Sequence, residues 1–267
     1  MDNPEHTQAE LVSFRLRGAF PVNDPLSVPL LRLMAATNDA RHMVRLLTAL
    51  HDGIETLNDS EKLLRAAEFG YLVRMLCGHL HEAGIAIRGI WTNAKARKRA
   101  QRLLRTFEDG GAAFEQVRAQ FMDYSAGSIR YVLEHIRNHA AFHYLHQDFE
   151  VAHRNHPDES ALVIATASGF SRYLVTDGFA SFAIQQIVGP GYDDYTREVG
   201  RVFALSSGLA TAVDHLLVGF FKERESAILR QETVSIAIPH EIRRQREYAE
   251  SLKTSTDKAA EGLRHRE

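Results

Sequence analysis

Near the middle of the chain an arginine and an asparagine are followed, after four residues, by a histidine: Arg137-Asn138-His139-Ala140-Ala141-Phe142-His143. An imidazole can take or give a proton near neutral pH. A guanidinium can hold two phosphate oxygens at once through parallel hydrogen bonds. Together they are enough to cut RNA without a metal. His143 would take the proton of a 2′-hydroxyl as general base, and Arg137 would stabilise the charge that builds on the non-bridging oxygens. Asn138 would orient the phosphate or the imidazole. Such an attack leaves a 2′,3′-cyclic phosphate and a free 5′-hydroxyl end.

On a straight α-helix, residues six apart lie about 120° from each other around the axis and roughly 9 Å apart along it. Arg137 and His143 of one chain therefore do not converge unless the helix breaks between them. The other solution is a two-fold partner that brings His143 of one subunit to Arg137 of the next. That arrangement predicts a homodimer with a composite site, in which the second histidine serves as general acid.

The segment resembles the signature of the HEPN superfamily: arginine, a polar residue that is often asparagine, four to six residues, then histidine. Here Arg137, Asn138, the four residues His139 to Phe142, and His143 carry the match. The resemblance implies a helical bundle and a metal-independent endoribonuclease of the kind found as dimers in toxin–antitoxin and phage-defence systems. Arg137 and His143 would be catalytic and Asn138 supporting, RNA the substrate, and an antitoxin protein a further partner. It also implies a second class of reading, since some members are inactive scaffolds that bind nucleotide, RNA or protein. One subgroup carries a modifiable tyrosine two residues after the histidine. This chain has Tyr144 directly after His143 and Leu145 at that place.

Two further residue sets bear on the motif. His135, His139 and His143 recur every four residues along one helical face, the spacing of a transition-metal site, although no carboxylate stands as an obvious fourth ligand. The preferred reading keeps no metal and no cofactor, with His139 and Tyr144 as supporting residues. Glu82, in His79-Leu80-His81-Glu82, is a third supporting candidate, able to steer an imidazole if its helix packs beside the motif helix.

A formal net charge of −2 excludes a basic field over the whole molecule. Any phosphate contact must then come from a local patch. Lys95, Arg97, Lys98, Arg99, Arg102 and Arg105 form a run without an acid and could grip RNA phosphates, with Trp91 either stacking a base or sitting in the core. Gly189-Pro190-Gly191 and Asp109-Gly110-Gly111 lack the spacing of phosphate-binding loops. Serine-hydrolase, kinase and cysteine-metal motifs are missing from the sequence. The single cysteine, Cys77, lies in an apolar stretch, as a buried thiol in a reducing compartment would.

Helices have to position these residues. Apolar periodicity predicts helices over about 25–50, from 59 to 82 or 87, 93–107, 112–122, 125–144, 179–188 and 192–230. Residues 1–23 read as a poorly ordered lead-in with a short strand around Val12 to Leu16. Residues 24–230 read as a mainly α, HEPN-like bundle with a small β-hairpin insertion near 149–177, and 231–267 as a charged, partly disordered tail with one apolar island at Val234 to Pro239. No stretch reads as a membrane span, and the expectation is a cytoplasmic protein.

Overall fold

The computed structural model describes residues 8–14, 16–107, 110–138, 154, 192–224 and 230–237. They divide into two units, one made of Met1–Ala19 with Glu225–Glu267 and the other of Phe20–Arg224. In the first unit, β1 (Gln8–Phe14) pairs antiparallel with β2 (Arg230–Ala237), Gln8 opposite Ala237 and Ser13 opposite Glu232, before an irregularity sets Phe14 opposite Arg230. A one-turn helix, α1 (Leu16–Ala19), follows β1. The lead-in and the tail expected from the sequence thus contribute a strand each. The apolar island of the tail supplies the end of β2, and its ladder partner lies more than two hundred residues away, beyond the reach of local pattern.

The second unit is helical. α2 (Ser27–His51) begins just after Pro25, where Asp24 accepts the Leu26 N–H at 2.9 Å, and it carries Pro29 in its first turn, where a missing N–H costs nothing. α3 (Asp59–Thr92) starts on a capping box: the Asn58 side chain accepts from the Glu61 N–H at 3.0 Å, and Glu61 accepts from the Asn58 N–H at 2.9 Å. It runs straight through Gly84, the residue that blurs its end in the sequence. A Cβ there would lie 2.6 Å from Cδ1 of the buried Phe121 ring, so glycine permits a close helix crossing.

α4 (Ala94–Leu104) is capped by the Asn93 side chain, which accepts from the N–H groups of Lys95 and Ala96. α5 (Gly110–Met122), α6 (Ile129–Ile136) and α7 (Tyr192–Lys222) complete the described helices of this unit. α3 is central: α2, α4, α5 and α6 all pack on it, and α7 packs on α2, α4 and α5. Leu76, Leu80, Ile87 and Ile90 of α3 are fully buried in that contact, each removing apolar surface at about 25 cal/mol per Å². Cys77 is buried among them, and burial pushes its thiol up to about 12, so it remains protonated.

Among the described residues α7 is the one helix long and apolar enough to cross a membrane by length and composition, with a mean hydropathy of 1.5 in its most apolar window. Its Val202, Leu205, Leu209, Val213, Leu216 and Phe220 recur at helical spacing and are buried in the bundle, the pattern of an amphipathic core helix. Phe20 stacks on Phe220 at 5.5 Å, and beside them Asp24 accepts from Arg99 at 3.3 Å and from Arg224, joining the start of α2 to α4 and to the end of α7. Apart from Arg154, the expected hairpin near 149–177 and the helix at 179–188 lie outside the described residues.

Candidate functional site

α6 delivers the motif arginine. The chain turns into this helix through Gly127, whose φ of +79° lies in the left-handed region that glycine adopts most easily. Ser128 then caps it, accepting the Tyr131 N–H at 3.2 Å. The turn occupies the residues expected as the first turn of the motif helix, which moves its start from Ser125 to Ile129. Ile129, Val132, Leu133 and Ile136 form the buried stripe. Val132 and Ile136 face Val73 and Cys77 of α3 and Val199 and Val202 of α7 across a gap of about 10 Å³.

With that stripe fixed, Arg137 emerges at the helix end, a third exposed. At Arg137 and Asn138 the winding widens into a π turn. Such turns recur at functional sites. His139, His143 and Tyr144 lie outside the described residues.

The Arg137 guanidinium has two partners. Its Nη1 donates to the Asn138 side-chain oxygen at 3.0 Å, and its Nη2 lies 3.7 Å from Glu82 on α3. Glu82 also lies 3.6 Å from Arg32 of α2. Both pairs are a third to a half exposed, a setting in which ion pairs contribute roughly 0–1 kcal/mol. Their consequence is orientation rather than stability. The expectation that the helix of His79 to Glu82 packs beside the motif helix holds in the α3–α6 contact.

His81 sits beneath this group. It is buried, and among the described residues its Nδ1 finds no hydrogen-bond partner. Burial lowers its pKa, and the charges of Arg137 and Arg88 lower it further against the opposing pull of Glu82 and Glu134. The imidazole is therefore neutral near neutral pH, and its 3.9 Å approach to Glu82 is neither a hydrogen bond nor a salt bridge. Arg88 is pushed down from its usual value by burial and by Arg130 nearby, with Glu134 and Glu82 offsetting. On the same seam Arg130 lies 4.0 Å from Glu134.

Four guanidiniums, Arg32, Arg88, Arg130 and Arg137, thus surround two carboxylates, Glu82 and Glu134, leaving a local surplus of positive charge in an acidic chain. Sequence reading missed this patch because its members come from three helices and are scattered over a hundred positions. The one local signal was the acid and paired histidines around Glu82.

The basic run on α4 divides. Lys95, Lys98, Arg102 and Arg105 are exposed and share one face, opposite the buried Ala96, Ala100, Leu103 and Leu104. Arg102 also reaches Glu223 at 3.2 Å. Arg97 donates to the Trp91 carbonyl at 3.3 Å. Arg99 departs from the expected phosphate grip: it turns inward, bonded to Asp24 and Glu223 and lying over the Phe220 ring. Trp91 packs on Phe114 at 5.6 Å with Arg118 over its ring at 4.7 Å, so it is a half-buried packing residue.

Of the histidine stripe only His135 is described. Its Nδ1 lies 2.9 Å from the Tyr131 carbonyl, which can only accept, so Nδ1 carries the proton, and the ring stacks on Tyr131 at 3.7 Å. Among the described residues no group of three or more His, Cys, Asp or Glu side chains could hold a metal ion. Compared with protein families, curated proteins and solved structures, the chain matches none.

Proposed function

We propose that this chain is a HEPN-like, metal-independent endoribonuclease that acts as a homodimer in the cytoplasm, in a toxin or phage-defence setting with an antitoxin partner. The observation that carries the reading is Arg137 itself: partly exposed at a helix end, oriented by Asn138 and Glu82, and set in a locally cationic seam. A guanidinium held this way is ready to receive two non-bridging phosphate oxygens, at no further cost in ordering its side chain.

In the reaction, His143 takes the proton from the 2′-hydroxyl, and the 2′-oxygen attacks phosphorus. The P–O5′ bond breaks, and the leaving 5′-oxygen takes a proton from the partner's imidazole. Arg137 holds the charge of the pentacoordinate state, and Glu82 keeps its guanidinium aimed. The protonated and neutral imidazoles exchange roles when solvent resets them.

Mixing inactive variants tests the composite site. Arg137→Ala and His143→Ala each remove one half of it, and subunit exchange between them regenerates one Arg137–His143 pair per mixed dimer, with water in place of the second imidazole as proton donor. The expected activity of an equal mixture lies above that of either component and is at most about a quarter of wild type. A mixture as inactive as its components, with exchange demonstrated, would contradict a site shared between subunits.

A further inference from the structure

Beside the charged seam runs an aromatic edge. Arg130 and Arg137 are seven residues apart on α6, two turns and about 10.5 Å on one face, with Arg88 of α3 electrostatically coupled to Arg130. About 100° around the same helix lie Tyr131 and His135, ring on ring at 3.7 Å. Tyr124, in the turn before α6, continues the series at 6.0 Å from Tyr131. Its ring is 47% exposed and lies 4.5 Å under the Arg130 guanidinium, while its hydroxyl donates to Glu134. A half-exposed tyrosine tied down at both its ring and its hydroxyl is a preorganised platform. Among the described residues the Nδ1 of His81, nine-tenths buried beside Arg137, has no partner, a second sign that the seam lacks a polar ligand.

We infer that the α3–α6 seam is a track for one unpaired RNA strand, its phosphates lying along Arg137, Arg88 and Arg130 and a base stacking on Tyr124. The inference rests on the ribonuclease reading above and adds to it which form of RNA enters. Alternating guanidiniums and rings match a strand that alternates phosphates and bases. A duplex keeps its base faces stacked inside and offers none to Tyr124. An acidic peptide would satisfy the arginines and leave the rings unused.

Binding is measured by fluorescence anisotropy on the full chain with a labelled 2′-O-methyl oligoribonucleotide of about twelve residues. The blocked 2′-oxygen prevents cleavage, so the readout is independent of catalysis. The same strand annealed to its complement and a poly-glutamate peptide are the comparison ligands. Tyr124→Ala is expected to weaken the single strand about tenfold and Tyr124→Phe to restore it within about twofold. Arg130→Gln should lower the slope of log affinity against log salt by about 0.7. The track is overturned if the duplex or the peptide binds as tightly as the single strand, or if Tyr124→Ala binds like wild type. Binding with this pattern in a chain that cuts no RNA would support the track and count against the ribonuclease reading.

Discussion

At the scale of single residues, the motif spacing made Arg137 legible, because arginine and histidine six apart is a local pattern. The environment of Arg137 was not, since His81, Arg88, Arg32 and Arg130 join it only when α2, α3 and α6 pack. His81 is the sharpest case: in sequence it is one of two histidines beside an acid, and nothing local marks it as buried. Its pKa is lowered on folding, so the unfolded chain binds the proton more readily. The stability this contributes is complete above the unfolded value of about 6.5 and is lost as pH falls from there through the lower folded value. Wild-type protein should therefore show a falling urea midpoint between about pH 7 and pH 5. His81→Gln should flatten that fall; an unchanged pH profile in the variant would show that the proton is taken up elsewhere.

Elements were the most legible level where periodicity is long and caps are local. The starts of α2 and α3 fell within two residues of expectation, and the buried stripe of α6 is visible as residue types at fixed spacing. Helix continuity through glycine was less legible, because what decides it is the partner helix. Gly84 and Gly89 look alike in sequence but meet different surroundings. At Gly84 an added methyl collides with Phe121, which is fully buried and cannot swing aside, whereas at Gly89 nothing lies within 4 Å. Overpacking of about 1–3 kcal/mol at Gly84 outweighs the gain of about 1 kcal/mol in helix propensity. Gly84→Ala should thus destabilise by about 1 kcal/mol and Gly89→Ala should stabilise by about 0.5–1 kcal/mol, read as urea midpoints of opposite sign.

For the whole molecule, mainly helical character followed from composition and period, while the pairing of β1 with β2 and the closure at Asp24 depend on distant residues. Asp24 is buried against Arg99 and Arg224, the first from a run that local charge marks as a solvent face. Asp24→Ala would leave the largely buried Arg224 guanidinium without its carboxylate and Arg99 with Glu223 alone, a change expected to cost about 3 kcal/mol and to lower the thermal midpoint by several degrees. Asp24→Asn should lose less, because the amide oxygen still accepts. The central claim concerns the assembled site, metal-free RNA cleavage through Arg137 and His143. The most direct measurement incubates the purified wild-type chain with mixed RNA in EDTA, beside Arg137→Ala and His143→Ala, and follows the 2′,3′-cyclic phosphate ends. The account predicts cyclic ends from wild type with EDTA present and none from either variant. Folded wild-type protein that leaves RNA intact, or cleavage that EDTA abolishes, would contradict it.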